Sequence, residues 1–154
     1  MAIKIESIPN YRIAYMRNVG PYGPDNVATM ENIKHWASVN NLFTDTSIVL
    51  GISQDNPQVT PSEDCRYDAA IVISSSYEVD DLVRVGEVLG GEYGVLKVKH
   101  TDEDIQKAWS TIFIELHNYG YQLDNRPIFE RYTAKMVSDH YCELCVPVKA
   151  LTSN

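Results

Sequence analysis

One arrangement of cysteine and histidine in the chain could do metal or redox chemistry. Cys142 and Cys145 stand three residues apart, and His140 lies just before them. The segment 141–148 is rich in apolar and branched residues and predicts a strand, on which residues three apart face opposite sides of the sheet. No second pair of this kind exists, so we predict neither a metal site nor a bound cofactor. With Cys65 the cysteines number three, which favours reduced thiols.

The other common signatures of catalysis are missing from the sequence. The histidines are scattered and never form a His-Glu-x-x-His motif; they are His35, His100, His117 and His140. The chain also lacks a Gly-x-Ser-x-Gly motif and a phosphate-binding loop, and the Gly90-Gly91 pair is too short to be a nucleotide signature. We therefore expect a binding protein rather than an enzyme.

Tyrosine is unusually frequent, with ten residues against three Phe and two Trp. A core built only for packing would use Phe as readily, because a buried hydroxyl needs a partner. One explanation is a cavity that faces a ligand, and the other is a set of half-exposed strand positions.

Composition and charge restrict the kind of protein. The chain has 154 residues, 44% of them hydrophobic, which fits a single domain over residues 1–154. The net charge of −8 opposes direct binding of nucleic acid. No apolar stretch approaches the length of a membrane span and the N-terminus does not resemble a leader, so we expect a cytoplasmic protein without membrane contact.

The first half of the chain reads strand, helix, strand, strand. Apolar residues alternate over 3–17, with a bulge at Pro9, and the spacing over 24–40 is typical of a helix. Two β-branched runs at 47–52 and 67–73 then predict strands joined by a long loop.

The second half repeats this order. A strand is predicted at 93–99 and a strongly amphipathic helix begins at Thr101 and ends near Gly120. Two further strands are predicted at 127–133 and 141–148, with a polar connection between them.

The repetition predicts an internal duplication. We place repeat 1 at about 3–76 and repeat 2 at about 90–149, with 68–73 corresponding to 143–148. The fold class is then α+β: a duplicated β-α-β-β unit with pseudo-twofold symmetry, an antiparallel sheet and two helices on one face. Either the opposite face or the seam between the halves is left concave and open.

Seven short segments occur in order along the chain: Asn18–Tyr22, Asp55–Pro57 with Thr60-Pro61, Tyr67-Asp68, Gly90–Tyr93, the helix around Trp109, Pro127–Tyr132 and Glu143–Pro147. Together they resemble the GyrI-like small-molecule-binding family, from about Ile3 to Val148. That family includes DNA gyrase inhibitors and the effector-binding domains of multidrug-responsive transcription activators. The resemblance implies a ligand groove between the two halves.

The same resemblance implies that Glu130 is the acidic residue that meets cationic ligands. On an alternating strand Glu130 shares a face with Ile128 and Tyr132, where a carboxylate is costly to bury unless it is paired. Such a group is a plausible anchor for a desolvated cation. The alternative is a surface ion pair with one of three arginines, namely Arg12, Arg126 or Arg131.

Aromatic faces attract cationic ligands, so the aromatic residues near Glu130 are the other candidates. They are Tyr15, Tyr67, Tyr93, Trp109, Phe113, Tyr132 and Tyr141. We expect about half of the tyrosines to line the groove, and for Trp109 simple packing against the sheet is the alternative. Where many relatives have a second Trp late in this helix, followed by Leu-Pro and a Ser-Gly turn, this chain has 114–116 and 118–121, so the end wall of the groove differs.

The resemblance implies three alternative functions. The first is a stand-alone binding module for hydrophobic, often cationic, drug-like molecules, with a role in the response to antibiotics or toxins and without a helix-turn-helix region. The second is contact with DNA gyrase through the acidic surface. The third is hydrolysis of strained-ring toxins, with Glu130 as general base and Tyr132 or Tyr141 as donor. A monomer and a homodimer remain open.

Overall fold

Alternating and helical patterns of apolar residues divide the chain into nine strands and three helices in the computed structural model, which describes residues 3–151. The strands are β1 (Lys4–Ile8), β2 (Tyr11–Val19), β3 (Val49–Ser53), β4 (Arg66–Val72), β5 (Arg84–Val88), β6 (Gly91–Lys99), β7 (Tyr121–Leu123), β8 (Ile128–Tyr132) and β9 (Tyr141–Ala150). The helices are α1 (Pro24–Val39), α2 (Asp102–Asn118) and α3 (Ala134–Ser138).

The order of the strands across the sheet confirms the duplicated α+β architecture. Eight strands follow the order β1-β6-β9-β8-β3-β4-β2-β5, all antiparallel, and β7 pairs with β9. This order is the same from either end when each strand is replaced by its counterpart in the other half: β1 by β5, β6 by β2, β9 by β4 and β8 by β3. The pseudo-twofold axis therefore passes between β3 and β8, where Gly51 lies opposite Glu130.

The prediction of one bulged strand over residues 3–17 is wrong, because Pro9 and Asn10 separate two strands that pair in different halves. β1 pairs with β6 of the second half, whereas β2 pairs with β4 and β5. β5 is the counterpart of β1, and the sequence pattern did not reveal it. Gly90 lies where the two connections meet, since a Cβ there would lie 2.5 Å from the Ile8 carbonyl oxygen and 2.7 Å from the Asn10 nitrogen.

Both long helices agree with the predicted ones and lie on the same face of the sheet. Thr101 caps α2 by accepting a hydrogen bond from the Asp104 backbone N–H at 3.2 Å. α1 buries Met30, Ile33, Trp36 and Ala37, and α2 buries Ala108, Ile112 and Leu116. No helix among residues 3–151 is long and apolar enough to span a membrane.

The sheet curls around its other face, which is filled by side chains rather than covered by helices. The buried residues there are Ile8, Tyr11, Ile13, Leu50, Ile52, Ala70, Val88, Tyr93, Val95, Phe129 and Cys145. We call this the inner face, and the side that carries α1 and α2 the helix face. Because the inner face is closed by its own side chains, the opening of the fold is the seam between the halves.

Two ionic clusters occupy the inner side of the sheet. Asp68 is 1% exposed and accepts two hydrogen bonds from Arg17, at 2.7 and 2.9 Å, and one from Gln54 at 3.0 Å. In the other half Arg131 donates to Glu143 at 3.1 Å and to Glu6 at 2.9 Å. The hydrogen-bonded geometry compensates the loss of water around each charge.

The first prediction concerns the pair of Arg17 with Asp68. Arg17→Met leaves the Asp68 carboxylate buried without a cation, so we expect the free energy of unfolding to fall by about 3 kcal/mol in urea denaturation. The control is Arg66→Met, which breaks the more exposed pair with Asp55 and should cost at most about 1 kcal/mol. Equal losses in the two variants would contradict this interpretation.

Candidate functional site

A cavity of about 990 Å³ opens at the seam between α1 and α2. Its floor comes from the central strands β3, β4 and β8, its walls from the two helices, and its ends from the loops 53–58 and 123–127. The cavity lies on the helix face, across the pseudo-twofold axis. The predicted groove between the halves therefore corresponds to an observed cavity.

Glu130 lies at the centre of the cavity floor, half-buried and opposite Gly51. None of the ion pairs found within residues 3–151 includes it. The three arginines weighed as partners are bound elsewhere: Arg12 to the carbonyls of Ser74 and Tyr77, Arg126 to Asp124, and Arg131 to Glu6 and Glu143. The alternative of a surface ion pair is therefore wrong.

The surroundings of Glu130 favour its neutral form. Burial raises the pKa of the Glu130 carboxyl, a polar contact from the Trp109 side chain lowers it in part, and the negative charge of Asp102 raises it further. Burial removes part of the water that would stabilise a carboxylate here, and none of the ion pairs among the described residues supplies it with a cation. A ligand cation would provide the missing stabilisation.

Two tyrosine hydroxyls lie beside Glu130 on the helix face. A Cβ at Gly51 would lie 2.5 Å from the Tyr67 hydroxyl oxygen, so the missing side chain is what lets the Tyr67 ring cross the centre of the floor. Burial, together with the charge of Glu130, raises the pKa of Tyr67. Burial also raises the pKa of Tyr132 well above its ordinary value, with further contributions from Tyr67 and Glu130. Both hydroxyls are therefore neutral donors at physiological pH.

Aromatic side chains form one wall of the cavity. Trp109 and Phe113 of α2 stack with their ring centroids 6.1 Å apart and an interplanar angle of 21°. Trp109 is half-buried and Phe113 is 40% exposed, so parts of both rings face open space. Trp109 thus packs beside the sheet and also lines the cavity, which combines the two readings given above.

Of the candidate residues, the structure brings together Glu130, Trp109, Phe113, Tyr132 and Tyr67. It does not bring Tyr15, Tyr93 or Tyr141 to the cavity, because alternation along β2, β6 and β9 turns all three toward the inner face. Tyr15 and Tyr141 instead have Arg17 and Lys97 over their rings, at 5.6 and 4.0 Å from the ring centroids. Tyr93 is fully buried against Phe129, 5.3 Å away.

The two cysteines of the Cys-x-x-Cys segment lie on opposite faces. Cys142 packs in the cluster that contains Trp36 and Tyr132, and Cys145 packs on the inner face. Burial raises the pKa of the Cys142 thiol to about 12, so it is not a reactive thiolate. In the part of the chain that the structure describes, no group of three His, Cys, Asp or Glu side chains is arranged to hold a metal.

Several residues of the cavity were not identified from the sequence. Tyr22, Met30 and Lys34 line it from the first half, and His100 lines it at the start of α2. Gly51 did carry a signal, since an isolated glycine inside a strand often marks a close approach of another group. The residues of α1 reach the cavity because of the way this helix packs on the sheet, and no local pattern in the sequence indicates that packing.

Comparison with known proteins agrees with this architecture. The sequence profile of the family described as GyrI-like small molecule binding domain matches residues 1–149. The SPbeta prophage-derived protein YosT of Bacillus subtilis, whose name proposes a role in transcriptional regulation, is 43% identical over 97% of this chain and 100% of its own. A DNA gyrase inhibitor of Cronobacter turicensis is 28% identical over 99% of both chains.

Two solved structures share the fold at low sequence identity. The C-terminal domain of EcmrR has a TM-score of 0.74 and 10% identity, covering 97% of this chain and 98% of that domain. In a complex of EcmrR with DNA the match covers 58% of the EcmrR chain. SAV2435 bound to tetraphenylphosphonium has a TM-score of 0.68 and 14% identity, covering 97% and 94% of the two chains.

The second prediction tests the contact between Gly51 and Tyr67. Gly51→Ala places a methyl group against the Tyr67 hydroxyl, so we expect a loss of about 1–3 kcal/mol in the free energy of unfolding. In a Tyr67→Ser background the same substitution should cost much less, since the obstructing ring is gone. A double-mutant cycle in urea measures the difference. If both backgrounds lose the same stability, Tyr67 does not lie over Gly51.

Proposed function

The chain belongs to the GyrI-like small-molecule-binding family, and from that premise we propose that its cavity binds hydrophobic aromatic cations, with Glu130 as the anchor. The observation that carries the proposal is an unpaired, half-buried carboxylate on the floor of a cavity lined by aromatic rings. Apolar walls with a few convergent polar groups are typical of sites for small molecules.

The energetics favour a cation over a neutral or anionic ligand. A cation next to Glu130 restores the electrostatic stabilisation that the carboxylate loses by burial. The faces of Trp109, Phe113 and Tyr67 each add an attraction of roughly 0.5–2 kcal/mol, depending on how completely the pair is desolvated. The hydroxyls of Tyr67 and Tyr132 remain neutral and can support the carboxylate without competing for the cation.

The solved complex of SAV2435 supports the same class of ligand. That protein binds tetraphenylphosphonium, an aromatic cation without hydrogen-bond donors, and has the fold of this chain. Recognition of such a ligand depends on charge and aromatic contact rather than on a pattern of hydrogen bonds. We propose a corresponding role here in sensing or sequestering antibiotics or toxins of this class.

A second candidate function is inhibition of DNA gyrase. It is favoured by relatives of 24–28% identity that cover at least 94% of this chain and are named DNA gyrase inhibitors. Such a role would use the acidic outer surface rather than the cavity floor. Loss of Glu130 charge would then leave inhibition of purified gyrase unchanged while it removes the binding of cations.

The third prediction is that tetraphenylphosphonium stabilises the protein through Glu130. At a concentration about 100-fold above the dissociation constant, binding adds about 2.7 kcal/mol, which corresponds to a rise of roughly 5–10 °C in Tm. Glu130→Gln should lose most of this rise in a thermal-shift assay. Glu78→Gln removes the same charge from an exposed position and should respond as the wild type does.

Tetraphenylborate is the matched control ligand, because it has the same shape and the opposite charge. It should stabilise neither the wild type nor Glu130→Gln. An equal rise with both ions would show that the cavity selects shape alone and would reject Glu130 as the anchor. Undiminished binding of the phosphonium by Glu130→Gln would reject it as well.

The fourth prediction is that cation binding weakens as the pH falls. Burial raises the pKa of Glu130 in the free protein, and a bound cation favours the charged carboxylate, so binding lowers that pKa and releases a proton. Affinity is therefore full above the raised pKa and decreases below it. Calorimetric titrations in buffers of different ionisation enthalpy measure the released protons.

Other titratable groups also line the cavity, so this experiment needs controls. These groups include His100, Glu31 and Asp102. The His100→Gln variant should retain the proton release, whereas Glu130→Gln should abolish it. If the release survives Glu130→Gln, the titrating group is one of the residues at the edge of the cavity.

A further inference from the structure

We infer that the cavity prefers ligands carrying an acidic group as well as a cationic one, and that Lys34 receives the acidic group. The inference rests on the proposed function, since it takes Glu130 as the site of the cation. It goes further by assigning a role to a second charge, on the α1 wall of the cavity. The class of ligand is a rigid aromatic body with an amine or iminium cation at one end and a carboxylate at the other.

Lys34 lies where it can meet a bound molecule. It extends from α1, lines the cavity and is half-buried. Its ammonium nitrogen lies 5.5 Å from the centroid of the Tyr132 ring. Throughout the described range 3–151, no carboxylate oxygen comes within 4.0 Å of this nitrogen. The cavity therefore contains a lysine without an internal counter-ion.

Lys34 and Glu130 do not neutralise each other. Tyr132 follows Glu130 by two positions on β8, a rise of about 7 Å along the strand, and Lys34 lies over the ring of Tyr132. None of the ion pairs within residues 3–151 joins the Lys34 ammonium to the Glu130 carboxylate, so the two charged groups lie more than 4.0 Å apart. Two opposite charges thus stand apart in one cavity, and a ligand with two charges at a similar separation satisfies both.

The position of Lys34 also affects how a simple cation binds. The ammonium already occupies a face of Tyr132, so that ring has less to offer a ligand cation than Trp109 or Phe113 has. Positive charge at this end repels a second cation and attracts an anion. A ligand should therefore direct its cation toward Glu130 and Trp109, with any acidic group toward Lys34.

The neighbours of Lys34 do not cancel this preference. Glu31 and Asp102 also line the cavity, but both are exposed, so water and salt weaken their attraction for the Lys34 ammonium. His100 lies next to Tyr132, with the two ring centroids 5.8 Å apart, and its ring N–H is an additional donor for a carboxylate. The half-buried ammonium is therefore the dominant charge that an acidic group meets there.

The test compares two dyes that differ only in the charge of one group. Rhodamine 110 has a cationic ring system and a free carboxylate, and rhodamine 123 is its methyl ester. In fluorescence anisotropy titrations at pH 7.5, we expect the wild type to bind the free acid about fivefold more tightly than the ester, because a partly exposed ion pair is worth up to about that ratio. Lys34→Met should remove this preference by weakening the binding of the free acid.

Three variants make the result specific. Lys34→Arg retains the positive charge and should keep the preference for the free acid. Lys107→Met removes the same charge from an exposed position on α2 outside the cavity and should also keep it. Glu130→Gln should weaken both dyes, because both contain the cation. Circular dichroism and thermal unfolding verify that each variant is folded.

The outcomes separate this inference from the proposed function. If the wild type binds both dyes equally, or if Lys34→Met weakens both by the same factor, the role of Lys34 is rejected while the cation site remains. If Glu130→Gln binds both dyes as the wild type does, Glu130 is not the anchor. The preference for the free acid is still measured by comparing the wild type with Lys34→Met. If neither dye binds to the wild type, the role of Lys34 is overturned, and the thermal-shift response to tetraphenylphosphonium decides whether the cation site stands.

Discussion

An uncompensated carboxylate at the centre of the sheet is the constraint around which the binding side of this protein is arranged. Glu130 lies at the pseudo-twofold axis, where β3 and β8 meet, and its counterpart across the pair is Gly51. The backbone is nearly symmetric at this point, but the side chains are not. One half provides the charge and the other provides the space that Tyr67 fills, so the duplication gives a single site at the axis rather than two.

Alternation along β8 explains why Glu130 stays without a cation although arginine is its neighbour in sequence. Arg131 points to the inner face, where Glu6 and Glu143 pair with it, and Glu130 points to the helix face. The sheet itself keeps the two charges apart. Within residues 3–151, Arg131 has carboxylate partners on the inner face, whereas Glu130 on the helix face has no cationic partner and lines the cavity. The two faces of one strand thus have different tasks.

Much of the fold could be predicted because its signals are local. The spacing of apolar residues identifies α1 and α2, and Thr101 and Pro24 mark where they begin. The exchange of β1 and β5 between the halves could not be predicted, since strand pairing over such distances leaves no local pattern. β7 and α3 are short and their residues are polar or mixed, so periodicity does not distinguish them from loops. For the site, residue type narrowed the candidates, but only the strand register separated Tyr67 and Tyr132 from the candidate tyrosines that face inward, Tyr15, Tyr93 and Tyr141.

The first strand of each half pairs with the other half, β1 with β6 and β5 with β2, and this pairing affects how the protein folds. β1 ends at Ile8, yet its partner β6 is complete only at Lys99, and β2 likewise precedes its partner β5 by a long stretch of chain. The first repeat therefore cannot finish its sheet as an isolated unit during synthesis. Long-range pairing of this kind slows folding and leaves strand edges exposed in the meantime. Each half of the duplication needs a strand from the other to complete its sheet, so the two halves must fold together.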